Sequence, residues 1–184
     1  MLNDSDVFVW PAEFACTIID ENIILPNHYN LKIYIEPYIP ITETFGIGFE
    51  KLKHVIFNVL SNSIIINQNN PISASLTSVA NNVVHLPTEP YDYYLGTILF
   101  SKFVSVTEKY FDIYQITIDS AVGDRVQYSI NEMHDFQEKF SGEHWWTQDN
   151  PDVTGKRKVN WEGLPIDDMP KFSPKIIKGG KSED

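Results

Sequence analysis

The chain has a single cysteine, Cys16, among its 184 residues. One thiol excludes an intramolecular disulfide and any zinc cluster built on paired cysteines. Basic residues are scarce too, with 14 Lys and Arg against 25 Asp and Glu, for a formal charge of -11. A nucleic-acid surface needs a basic face to meet phosphates, so DNA and RNA are not expected partners. No segment approaches the ~20 apolar residues that a bilayer span requires. The opening string "MLNDSDVFVWPAEF" lacks the basic start and apolar stretch of a leader. A soluble, cytoplasmic chain with no membrane partner is expected. Two familiar catalytic strings are missing: there is no Gly-x-Ser-x-Gly elbow, and "FGIGFEK" lacks the lysine-serine ending of a phosphate loop.

What is present is a core. Hydrophobic residues make up 42% of the chain, enough for one domain with an extension. The spacing of apolar residues predicts its elements. "EFACTIID" is β-prone, and "HYNLKIYIEPY" alternates, with Leu31, Ile33 and Ile35 on one face. "GFEKLKHVIFNVLSN" has a helical period, placing Phe49, Leu52, Ile56, Val59 and Leu60 together after Gly48. "NQNNP" marks a turn, and "SASLTSVANNVVHL" reads as a loop with a short strand.

A second helix is predicted in "PTEPYDYYLGTILFSKFVSV". Thr88 is placed to cap it, Pro90 to fill its first turn and Asp92 to favour its positive end. Its apolar stripe is Tyr91, Tyr94, Leu95, Ile98, Leu99 and Phe103. "YFDIYQITIDS" alternates again, with Tyr114, Ile116 and Ile118 together, and pairs with "RVQYSI" across a loop at 121–124 containing Gly123. Strand, strand, helix, helix, strand, strand predicts an α+β domain over residues 1–130, an antiparallel sheet with two helices on one face. Residues 131–184 are rich in Pro yet carry Trp145, Trp146, Trp161, Phe172, Ile176 and Ile177. They read as an extended C-terminal arm that wraps its own core or a neighbouring subunit, with "GKRKVN" as a basic run within it.

Three strings give this order a family likeness. "GIGFEKLK" at the first helix, "PTEPYDYYLGTIL" at the second and "YQITIDSAVGDRVQY" on the late strand resemble the 6-pyruvoyltetrahydropterin synthase and 6-carboxytetrahydropterin synthase family. The resemblance covers roughly residues 12–130. It implies the tunnelling fold, in which subunits join sheets into a barrel with the helices outside, and so a homo-oligomer. It also implies a zinc ion held by three histidines. The matching positions here are Ile18 in "FACTI" and Leu25 and Asn27 in "LPNHYNL". Leucine and isoleucine cannot coordinate zinc. The family's cysteine falls near Glu21, and its Asp-His pair on Asn62 and Ser63, neither a proton shuttle near neutral pH.

Ligands, nucleophile and relay are missing together. No catalytic residue, metal or cofactor is therefore assigned, and the reading leans away from an enzyme. The first functional reading is a catalytically degenerate synthase-like protein, acting as an oligomeric binding or structural module. Its arm would hold another protein. The alternative is a pterin- or purine-pathway enzyme with a rearranged active site. Candidate ligand-binding residues are Asp119, at the family's late-strand acid, Glu89 and Thr88 in the Pro-Thr turn, and His28 beside Tyr29. A carboxylate such as Asp119 offers two acceptors to the adjacent N–H groups of a pterin or purine edge. A plain strand-end acid bonding turn amides is the competing reading of the same residue. "HDFQEKFSGEH", with His134, Glu138 and His144, matches no common metal motif.

Overall fold

The computed structural model describes residues 7–38, 44–123, 126–131 and 144–153. The basic run at 156–158, His134, Glu138, Trp161, Phe172, Ile176 and Ile177 lie outside these residues, as does most of the expected arm. One six-stranded sheet organises the rest, in the order β4-β3-β1-β2-β5-β6. Strands β1 (Phe8–Asp20) and β2 (Ile23–Pro37) form a long antiparallel hairpin. β5 (Phe111–Ser120) continues the antiparallel pairing from β2, and β6 (Tyr128–Ile130) from β5. Helices α1 (Thr44–His54) and α3 (Asp92–Thr107) lie against one another and against the same face of the sheet. The α+β class, the two long helices on one face and the antiparallel pairing of the first two and last two strands are as expected. Two further strands and a short helix interrupt the expected order between the long helices, and those strands pair in parallel, so the sheet is mixed rather than antiparallel.

Three differences have local causes. The segment between the helices is not mainly loop. β3 (Ile64–Asn67) and β4 (Val83–Leu86) flank a short helix, α2 (Ser73–Val79), and add to β1 in parallel. The run "IIIN" is buried on both faces, and such strands carry no alternation to reveal them. Helix α1 begins four residues before Gly48 and passes into a π-helical segment at Val55–Leu60. Gly48 sits inside it because a Cβ there would meet the Tyr110 Cβ at 2.6 Å. On β5, Tyr114 does not share a face with Ile116 and Ile118 and is 40% exposed. The register with β2 slips between Tyr34 and Ile35, a bulge that skips Tyr114. Phe111 and Ile113 therefore point inward on odd numbers, Ile116 and Ile118 on even ones.

The core gathers between the helices and this face. Leu31, Ile33 and Ile35 of β2, Leu52, Ile56, Val59 and Leu60 of the first helix, and Leu95, Ile98, Leu99 and Phe103 of α3 are all buried. Phe14 stacks on Tyr29, with centroids 5.0 Å apart. Gly96 lets α3 approach the sheet, since a Cβ there would lie 2.4 Å from Ile130. Three expectations for α3 fail at its start: the helix begins at Asp92, so Pro90 precedes it and does not fill its first turn. The N-cap is Tyr91, half exposed and outside the stripe, and no side chain caps the helix, so Thr88 does not.

Residues 144–153 pack on the chain's own α3. Trp146 is buried in the core, and the Trp145 indole donates to the His85 carbonyl at 2.9 Å. The fully buried Lys102 ammonium donates to the carbonyls of Trp145, Gln148 and Asn150 at 2.7, 2.8 and 2.6 Å. A lysine inside a helix's apolar face is tolerated because every ammonium hydrogen finds an oxygen.

Candidate functional site

At one end of the sheet the β1–β2 hairpin closes over Glu21 and Asn22. Glu21 takes a left-handed conformation, with φ 51°. Its two backbone groups are held from outside the hairpin. Its amide donates to the Glu89 carboxylate at 3.4 Å, and its carbonyl accepts from the Asn70 side chain at 2.7 Å. Glu89 also accepts from the Asn67 side chain at 2.8 Å, so one carboxylate ties β3 to the turn.

Beside this turn lies a cavity of about 300 Å³, open to solvent, between the hairpin, the start of α3 and the β5–β6 loop. Ile18 and Leu25, directly opposite in the ladder, form part of its wall with Tyr91 and Tyr128. Its polar groups are Asp20, Asn27, Asp92 and Ser120. Asn27 is 5% exposed. Its Oδ1 accepts from the His28 amide at 2.8 Å and the Val122 amide at 3.1 Å. Two backbone donors on one side fix the amide's orientation and leave Nδ2 on the other. Nδ2 is buried with no hydrogen-bond partner among the described residues, and the same holds for Asp20 Oδ1 and the Tyr29 hydroxyl. Tyr29 lies close to both Asn27 and Asp92 without hydrogen-bond geometry to either, and burial, then the Asp92 charge, pushes its phenol well up.

Burial raises the Asp92 carboxyl above the ordinary range, and the nearby charge of Asp119 adds to this. The Ser120 hydroxyl opposes it, donating to Asp92 Oδ2 at 2.7 Å while accepting from the Gly123 amide at 2.8 Å. A Cβ at 123 would stand 2.4 Å from that same oxygen, so any other residue there would push the Asp92 carboxylate aside. The phenol of Tyr91 at the cavity mouth is raised chiefly by the charge of Asp20, then by burial, Glu89 and Glu21. Among the described residues the charged groups around the mouth are acidic.

The other face of the sheet is open. Asp119 lies there in a groove of about 470 Å³ with Glu13, Asn30 and Lys32. Its Oδ1 accepts from the Asn30 side chain at 2.7 Å and its Oδ2 from the Gln127 side chain at 3.2 Å. Both oxygens hold side-chain amides rather than turn amides. His28 shares this face through the strand period, its Nε2 3.6 Å from Glu13 Oε2. The fold therefore brings Asp119 and His28 to one surface. It sends Glu89 and Thr88 to the β4–α3 loop near the hairpin turn. Asp20, Ser120 and the cavity role of Asp92 were missed from sequence. Asp92 reads equally well as a helix-dipole acid, and Asp20 as a strand end. The one signal that pointed to the cavity was the alignment of Ile18, Leu25 and Asn27.

Those three positions meet in the cavity, so the fit of a zinc ion can be judged from their chemistry. Two are hydrocarbon, and Asn27 has already committed its oxygen to backbone amides. No group of three His, Cys, Asp or Glu side chains able to hold a metal exists among the described residues. The donor set does not fit zinc.

The architecture defined here is an α+β sheet domain carrying an acidic cavity at one sheet end and a polar groove on its open face. No family model and no curated protein matches the sequence. Among solved structures, the chain is similar to 6-pyruvoyl tetrahydropterin synthase from Plasmodium vivax, at 10% identity over 68% of this chain and 97% of that one, with a TM-score of 0.44. It is also similar to the Plasmodium falciparum 6-pyruvoyl tetrahydropterin synthase, at 14% identity over 69% of this chain and 98% of that one, with a TM-score of 0.43. Among the described residues no helix is long and apolar enough to cross a membrane.

Proposed function

We propose that this chain is a non-catalytic, oligomeric binding or structural module of the tunnelling type. The observation that carries this reading is the convergence of Ile18, Leu25 and Asn27 on one cavity. The backbone arrangement is kept while the donors that the resemblance implies are replaced by hydrocarbon and a committed amide.

Assembly is supported by unsatisfied surface. Among the described residues, β1 pairs with β3 only at Thr17–Ile19, leaving one edge of its first half unpaired. Val9, Ile23, Ile24 and Phe57 stand 48–64% exposed. Free edges and apolar patches of this kind are covered in stable assemblies. In this reading Asp119, with His28 on the same face, is the anchor for a pterin or purine edge, and Glu89 and Thr88 shape the neighbouring turn. A ligand would displace the amides of Asn30 and Gln127 from the same two oxygens.

A native mass spectrum of the purified chain tests the reading. The expected result is a metal-free oligomer. One zinc per subunit, or a monomer at all concentrations, would sink it. Asp119→Ala is expected to leave the assembly intact and abolish pterin and purine binding; an unchanged affinity would remove the anchor role.

A further inference from the structure

Strand β4 is the last in its sheet, and an outer strand is a template for another strand to pair with. The direction of each backbone group on that edge follows from the bonds to β3. Ile64 donates its amide to the Asn82 carbonyl at 2.9 Å, and Gln68 donates to the Leu86 carbonyl at 2.8 Å. In a ladder the groups that face one neighbour fall on alternate residues. Residues 82, 84 and 86 therefore bond inward, and Val83 and His85 turn their N–H and C=O groups away from the sheet.

The outward carbonyl of His85 is not left open. Trp145, 60 residues on in sequence, donates its indole N–H to that oxygen at 2.9 Å. Contacts with α3 hold the indole in place. Its neighbour Trp146 is buried in the core and meets it edge to face, with centroids 5.6 Å apart. The Trp146 carbonyl accepts from the Ser101 and Ser105 hydroxyls at 3.4 and 3.2 Å, and the Trp145 carbonyl from Lys102 at 2.7 Å.

The outward pattern of β4 is self-complementary. Antiparallel pairing of two β4 strands about a two-fold axis sets Val83 of each copy opposite His85 of the other. Each such pair would exchange both backbone bonds. Every exchange needs the His85 carbonyl, the oxygen that Trp145 holds. Strand and indole compete for one acceptor and for the space in front of it.

We propose that residues 144–153 are an autoinhibitory cover: docked on α3, they set Trp145 against the β4 edge and prevent two copies from pairing β4 to β4. The cover closes this end of the sheet, whereas the first half of β1 keeps one edge unpaired among the described residues.

The test compares the full-length wild type with Trp145→Ala by native mass spectrometry and by hydrogen exchange at residues 83–86. The variant is expected to form a species of about twice the wild-type mass, with new protection at the Val83 and His85 amides. Trp145→Ala combined with Val83→Pro is the control. Proline at 83 removes an outward N–H and leaves the bonds to β3 untouched, so the wild-type mass should return. A Trp145→Ala variant that keeps the wild-type mass overturns the inference. So does a heavier species that survives Val83→Pro, because exposed apolar surface rather than the edge would then drive it. If Trp145→Ala does not fold, Trp145→Phe, which keeps a ring and frees the oxygen, replaces it under the same two criteria. An oligomeric wild type whose variants keep its mass overturns this inference alone. A monomeric wild type whose variant doubles supports it and overturns the oligomeric reading.

Discussion

Ile18 and Leu25 stand directly opposite each other across the β1–β2 ladder, on the wall of the acidic cavity. Cross-strand neighbours on one face have Cβ atoms about 5 Å apart, close enough to share one metal ion. Ile18→His, Leu25→His and Asn27→His combined should therefore create a zinc site where the present side chains do not fit the ion. Without metal the triple variant is expected to be less stable by about 3 kcal/mol, from lost apolar burial and unpaired imidazoles. Added zinc should restore its melting temperature and leave the wild type unmoved. Equal responses would mean that the wild-type cavity already binds zinc, or that the three positions do not converge.

Lys102 is the clearest single test of how residues 144–153 are held. Lys102→Met keeps the stem and removes three donors, leaving the carbonyls of Trp145, Gln148 and Asn150 without them. A loss of about 3 kcal/mol or more is expected. Trp146, now buried, should shift its fluorescence to the red. Unchanged fluorescence and melting would show that the segment docks without the clamp.

The same lysine has a pH signature. Burial lowers its ammonium from 10.5 to about 8. Its folded pKa lies below its unfolded one, so above pH 8 the unfolded chain binds the extra proton. Stability contributed by this group then rises with pH from about 8 toward 10.5. The difference in unfolding free energy between wild type and Lys102→Met should widen over that window. A constant difference would place the lysine's titration at its ordinary value.

The legible part of this fold was the part with a clean period. Leu31, Ile33 and Ile35 alternate and are buried, and Leu95, Ile98, Leu99 and Phe103 recur at helical spacing and are buried. Tyr114 was misplaced because a bulge adds one residue to the strand without changing its composition. Ile64–Asn67 escaped because a strand covered on both faces has no alternation to read. The cavity was half legible. Its apolar wall followed from a resemblance, but Asp20 and Asp92 meet only through a hairpin and a helix start that lie seventy residues apart in sequence. Asp119 was visible as an acid at a strand end, yet its bonds to Asn30 and Gln127 depend on a register that no local string encodes.

Cys16 gives a probe of the core beneath the cavity. The thiol is 7% exposed and burial pushes its pKa up to about 12. A thiol that neither ionises nor meets solvent is inert in the native state. Reaction with a disulfide reagent should proceed at the rate of global unfolding and accelerate with denaturant as the stability falls. Rapid labelling of native protein would mean that β1 opens locally. Cys16→Ser, which puts a hydroxyl in the same apolar place, is expected to cost about 2 kcal/mol.

Glu21 closes the hairpin beside the cavity in a conformation that glycine adopts without steric cost. Side chains other than Gly, Asn and Asp give up roughly 1–2 kcal/mol in this region. Glu21→Gly should recover part of that and raise the melting temperature, since the bonds from Asn70 and to Glu89 use only backbone atoms of residue 21. Glu89→Ala should do the opposite, releasing the Glu21 amide and the Asn67 side chain together. Glu89→Ala in the Glu21→Gly background separates two roles for the carboxylate. If Glu89 serves to force residue 21 into its left-handed shape, glycine makes it dispensable and the second loss shrinks. An undiminished loss would mean that Glu89 acts mainly through Asn67, as a tie between β3 and the start of α3, with the turn a bystander.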